Sequence, residues 1–77
     1  LKVYGTQVDY IRARPIHSSQ QEVETHDDYS IFTYWLRPSY NLYQTLLWHR
    51  EKLEVLAPEC VREEMKGIVK RMMGWYE

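Results

Sequence analysis

The stretch from Lys52 to Glu64, KLEVLAPECVREE, constrains this chain more than any other. Leu53 and Val55 alternate with Lys52 and Glu54, the period of a strand with one buried face, which predicts a strand over Lys52–Leu56. Pro58 stands where a helix can begin, because the first helical turn does not use that N–H. Glu59, Glu63 and Glu64 follow, and acids there suit the positive end of the helix dipole. Beyond them Val61, Met65, Ile68, Val69, Met72 and Tyr76 recur at i, i+4, i+7, i+8, i+11 and i+15. That is a single stripe on a helix of about five turns, predicted from Pro58 to Tyr76. Such a stripe needs a surface to cover, and the upstream chain is expected to supply one as a small sheet.

Leu1–Tyr4 (LKVY) reads as the end of a strand, which Gly5 breaks. Thr6 is the expected cap of a short helix over Gln7–Arg14, with Asp9 three residues on. Val8 and Ile11 face inward, and Pro15 stops the helix. After a linker at Ile16–Ser19, Gln20–His26 is polar enough to be a sheet edge, with Val23 its one apolar anchor. Asp27-Asp28 is turn chemistry. Tyr29–Arg37 (YSIFTYWLR) is the strongest strand signal, rich in aromatic and β-branched residues and ended by Pro38. A tight turn at Asp27-Asp28 would set Val23 opposite Phe32, Glu22 opposite Thr33 and Glu24 opposite Ile31. Ser39 or Asn41 caps a helix whose buried patch is Tyr43, Leu46 and Leu47, ending near His49-Arg50. In the last helix, Glu59/Arg62 and Glu63/Lys66 are candidate i, i+3 ion pairs.

The order strand, helix, strand, strand, helix, strand, helix implies an α+β fold. The expectation is a ferredoxin-like βαββαβ sheet with an appended C-terminal helix. With 77 residues, the chain is expected to be one domain, residues 1–77, and a core this small rarely supplies more than about 3–5 kcal/mol of net stability by itself. It begins with a strand-like Leu1, so a piece of a longer protein is expected.

Composition removes several classes. A formal net charge of −1 lacks the basic excess of a nucleic-acid footprint. One cysteine, Cys60, permits no internal disulfide and fits a reducing cytoplasm, the expected location. No run is apolar enough for a bilayer, and no membrane role is expected. His17, His26 and His49 have no i, i+4 partner and no metal-ligand spacing with Cys60, and they read as surface polar residues. Cys60 reads as a small, partly buried residue and not a reactive thiol. Gly5, Gly67 and Gly74 are isolated, so no phosphate-binding loop is present. No nucleophile–base pair is apparent, and no catalytic residue, metal or cofactor is expected. Trp48 and Trp75, near helix ends, are expected to cover the core margin.

One feature stands out against this background. Ile31, Thr33 and Trp35 share a strand face that a sheet with helices on one side leaves open. They are the candidate interface or effector surface. An RNA-stacking sheet also carries open-face aromatics, but Glu22, Glu24, Glu54 and the absent basic–aromatic signature argue against it.

The segment YSIFTYWLRPSYNLYQTLLWHREKLEVLAPECVREEM resembles the WCX domain, the C-terminal extension of WYL-domain bacterial transcriptional regulators. The resemblance rests on Arg37-Pro38 ending a hydrophobic strand, Leu46-Leu47 in a helix, Val55-Leu56, Pro58-Glu59, and Arg62-Glu63-Glu64. Upstream, ARPIHSSQQEVE looks like the preceding strand of that family. One departure is visible at Arg50, where the family usually has Gly to end the helix in a left-handed conformation. The resemblance implies a non-catalytic regulatory module that contributes to a homodimer and to effector sensing. It implies WYL and helix-turn-helix domains of the same chain as partners, DNA contact only through the latter, and a nucleotide or nucleic-acid effector. The alternative is a stand-alone ferredoxin-like domain that binds a small ligand.

Overall fold

A computed structural model describes residues 1–77. Seven elements follow in order: β1 (Lys2–Tyr4), α1 (Gln7–Ala13), β2 (Gln21–Thr25), β3 (Tyr29–Thr33), α2 (Tyr40–Trp48), β4 (Leu53–Glu54) and α3 (Glu59–Gly74). The fold is mixed, a four-stranded sheet in the order β2-β3-β1-β4 with three helices. Every strand pair is antiparallel.

Alternation sorts the sheet residues onto two faces. Val3, Ser30 and Phe32 point inward, and Val3, Phe32, Val8 and Ile11 form one buried cluster under α1. Leu46, Val55 and Val61 form a second under α2 and the first turn of α3. Leu1, Ile16 and Leu53 touch both. Tyr10 of α1 stacks on Trp48 of α2 with ring centroids 5.2 Å apart, so both helices lie on one side of the sheet.

Several local expectations are corrected. The β2–β3 register is shifted: Glu24 is opposite Ile31, but Glu22 is opposite Phe32 and Gln21 opposite Thr33. The irregularity falls at Val23, which is 52% exposed instead of anchoring the strand. Glu22 explains the exchange. It receives two hydrogen bonds from Arg12, at 2.6 and 2.7 Å, one from Ser30 Oγ at 2.7 Å and one from Thr25 Oγ1 at 2.9 Å. The shifted register brings that carboxylate within reach of Arg12, Thr25 and the buried Ser30 hydroxyl, at the expense of Val23.

The strand expected over Tyr29–Arg37 stops at Thr33, because β1 and β2 offer no ladder partner beyond it. Trp35 donates its backbone N–H to Ser19 Oγ instead, at 2.8 Å. For the same reason β4 is two residues, not five, and Val55 turns into the core. Ser39, not Asn41, caps α2 by accepting from the Leu42 N–H at 3.2 Å, whereas Thr6 makes no side-chain cap bond. Pro58 is the N-cap of α3 instead of its first helical residue. Arg62 reaches Glu54 at 3.3 Å and the Val55 carbonyl at 2.8 Å, and neither expected i, i+3 pair forms.

The largest departure is α3. Its stripe was expected to cover the sheet, but only Val61 is buried, and Met65 and Ile68 are half-buried. Met72 is 47% exposed, and Trp75 and Tyr76, at 86% and 90%, cover no core margin. The helix leaves the body after about two turns with its apolar face still exposed.

Candidate interaction surface

The sheet's outer face closes on itself. The Lys2 ammonium lies 4.4 Å from the Tyr29 ring centroid and 5.2 Å from that of Tyr4, a cation–π arrangement. Tyr4 Oη donates to Glu54 Oε1 at 2.9 Å. This bond and that from Arg62 hold the Glu54 carboxyl below its usual range. His26 stacks on Tyr29 with centroids 4.4 Å apart. Ile31 and Thr33 stand at one margin of this layer. Trp35 lies two residues beyond the end of β3 and is 89% exposed.

Ile31 and Thr33 instead line a second feature, an apolar cleft of about 420 Å³ at the end of the sheet. Its rims are two chain segments that each finish in proline, Leu36–Pro38 and Leu56–Pro58. Leu42 and Leu46 of α2 supply one wall, and 12 of the 15 lining residues are hydrophobic, so the cleft offers water little to bind. Leu36 and Leu56 were expected in strands, which end instead at Thr33 and Glu54, so a cleft between the two segments was not foreseen. A leucine two residues before a proline in both segments, Leu36/Pro38 and Leu56/Pro58, was the available signal. Beside it, Tyr34 donates to Gln20 Oε1 at 2.6 Å, and burial pushes its hydroxyl pKa up.

A shallower recess of about 370 Å³ runs past Tyr10, Arg14, Trp48 and His49. His49, read as a surface residue, is only 5% exposed. It sits edge-on to Trp48 and accepts a hydrogen bond at Nδ1 from the Gln7 side-chain amide at 2.8 Å. That geometry holds the neutral imidazole, and burial lowers its pKa. Cys60, expected to be partly buried, is exposed. No three His, Cys, Asp or Glu side chains converge as a metal site, and no helix is long and apolar enough to cross a membrane.

The WCX domain family model matches residues 1–73. The chain belongs to the WCX domain family. No curated protein and no solved structure matches the chain. A WCX domain is a regulatory module associated with WYL-type regulators. Of the residues that carry the resemblance, Pro38, Leu46, Val55, Leu56 and Pro58 line the cleft, whereas Arg37, Leu47, Glu59, Arg62, Glu63 and Glu64 do not. Arg50, just after α2, adopts φ +60°, the left-handed conformation that glycine would supply without strain.

Proposed function

We propose that this WCX domain is a non-catalytic regulatory module of a WYL-type transcriptional regulator, contributing to effector sensing and oligomerisation. The observation that carries the reading is the match of the WCX family model to residues 1–73, supported by an apolar cleft lined by Pro38, Leu46, Val55, Leu56 and Pro58. A stable contact surface needs an apolar centre with a polar rim, and the cleft with Ile31 and Thr33 at its margin supports one. Trp35, exposed beside it, extends the surface. In this reading residues 1–77 form one domain of a longer cytoplasmic protein. Its WYL and helix-turn-helix domains are the partners, and DNA is reached only through the latter. A nucleotide or nucleic acid acts as effector at the junction with the WYL domain.

We also infer that the sheet and its two crossover helices are a ferredoxin-like arrangement with α3 appended. The strand order β2-β3-β1-β4 and a helix in each of the β1–β2 and β3–β4 connections support it.

Titration of the 77-residue chain against the WYL portion of its regulator tests the function. Binding that Leu36→Asp or Trp35→Asp weakens by about tenfold or more is expected, a change of about 1.4 kcal/mol. No measurable affinity overturns the reading. The cleft volume also falls within the roughly 300–1,000 Å³ of small-molecule sites, which favours a stand-alone ligand-binding domain as the second reading. Stabilisation by a metabolite in a thermal-shift panel, with no affinity for a WYL domain, would establish that alternative.

A further inference from the structure

The apolar cleft has a polar neighbour. A recess of about 300 Å³ adjoins it, and Ile16, Leu36 and Leu42 line both spaces. The shared wall is made by the linker after α1, the segment that follows β3 and the first turn of α2. The two linings differ in kind. No side chain around the cleft is charged, and the Tyr34 hydroxyl there is already used on Gln20. Around the recess stand His17, Arg37, Ser39, Asn41 and Thr45.

The charge of the recess has one sign. Arg37 forms no ion pair within the chain, whereas Arg12 and Arg62 do. No Asp or Glu stands between Asp9 and Glu22 or between Asp28 and Glu51, so neither chain segment that forms the recess carries an acid. His17 Nδ1 accepts the Ser19 backbone N–H at 3.1 Å and lies 2.8 Å from Ser19 Oγ. A ring nitrogen that accepts carries no proton of its own, so the neutral imidazole holds its proton on Nε2. That N–H has no partner in the chain and is free to donate. A fixed cation and a free donor therefore sit at the polar end of an apolar cleft.

We propose that the cleft and the recess together bind an anionic amphiphile, a single unbranched hydrocarbon chain with a carboxylate or phosphate head. The hydrocarbon lies in the cleft, where water has little to hold it. The head lies in the recess, paired with Arg37 and hydrogen-bonded by His17 Nε2. A guanidinium can meet two oxygens of one such head. Ile16, Leu36 and Leu42 form the passage from the apolar to the polar end. A cationic head would face Arg37 with like charge, and a wholly apolar ligand would leave Arg37 and His17 unused. The inference rests on the reading of the cleft as a small-ligand site, whether or not a WYL domain flanks it.

Isothermal titration calorimetry of the 77-residue chain tests it with octanoate, decanoate, octyl phosphate, octanol and octylamine, and circular dichroism verifies that each variant folds. Octanoate and octyl phosphate are expected to bind, and the tighter of the two identifies the head. Decanoate should bind about tenfold tighter than octanoate, because each buried methylene adds about fourfold. Octanol should bind about tenfold more weakly than octanoate, and octylamine more weakly still. Arg37→Ala should weaken octanoate about tenfold and leave octanol unchanged, whereas Leu56→Ala, at the cleft rim, should weaken both. No binding of any anionic probe at about 1 mM overturns the proposal. So does anion binding that Arg37→Ala leaves intact. Stabilisation by an uncharged metabolite, with no binding of the anionic probes, defeats this inference and leaves the small-ligand reading standing. Affinity for a WYL domain with no ligand bound at all defeats both and leaves the regulatory reading.

Discussion

Glu22 shows how one side chain can outweigh the pattern of a strand. Four hydrogen bonds draw its carboxylate inward and depress its pKa from 4.5 to about 2, with Arg12 the largest cause. A carboxyl depressed on folding adds stability above its unfolded pKa, and that stability is lost as pH falls through the folded value. Stability should therefore decline from about pH 4.5 toward pH 2, and Glu22→Gln should flatten that decline in urea titrations. At neutral pH Glu22→Ala should cost about 1–3 kcal/mol, because the buried Ser30 hydroxyl loses its acceptor; a cost near zero would show the network to be idle. His49 shifts in the same direction by another route. Burial disfavours its imidazolium, so folding is supported by the neutral form. That support is complete above the ordinary value of 6.5 and diminishes as pH falls below it. NMR titration should place the His49 pKa below 6.5; a value at or above it contradicts the burial argument.

Among the elements, the turn after α2 is the one where sequence and conformation disagree most plainly. Arg50 holds φ +60°, where a Cβ crowds the following carbonyl and costs an L-residue about 1–2 kcal/mol. Arg50→Gly removes that strain but adds freedom to the unfolded chain. The net expectation is a gain of about 0.5–1 kcal/mol, read as a higher urea midpoint at unchanged slope. An unchanged midpoint would mean that the 3₁₀ turn at Arg50–Lys52 determines the conformation by itself. The two short strands follow a different logic. β3 and β4 end where their neighbours end, and neither length is written in its own residues. Tyr34–Arg37 keeps the composition of a strand without a ladder to join.

In the whole molecule, apolar material is divided unevenly between body and arm. The body places Phe32, Ile11, Leu46 and Val3 at 2% exposure or less, while α3 carries much of its stripe into solvent. Substitutions along one helix should separate accordingly. Val61→Ala should cost about 1–3 kcal/mol, since it removes buried methyls and leaves a cavity. Met72→Ala should change monomer stability by no more than about 0.5 kcal/mol, as for exposed sites. Chemical denaturation at protein concentrations that keep the chain monomeric checks both. Equal costs at the two positions would show that the arm packs on the body in solution.

The residues alone determined what local physics controls. Gly5, Pro15, Pro38 and Pro58 punctuate the chain, alternation sets Phe32 on the face opposite Ile31 and Thr33, and the 3.6 period marks α3. The order of elements and the family signature from Arg37 to Glu64 follow from the same local signals. Only the tertiary structure decided the matters that depend on distant partners. Arg12 lies ten positions from Glu22 and displaced Val23 from its place. Gln7 enclosed His49 across 42 positions. The cleft arose from two proline-ended segments about twenty residues apart, which leave the sheet where their ladder partners end. Periodicity reported that α3 has an apolar face; it could not report that the body is too short to cover it, because the extent of a surface belongs to the folded whole.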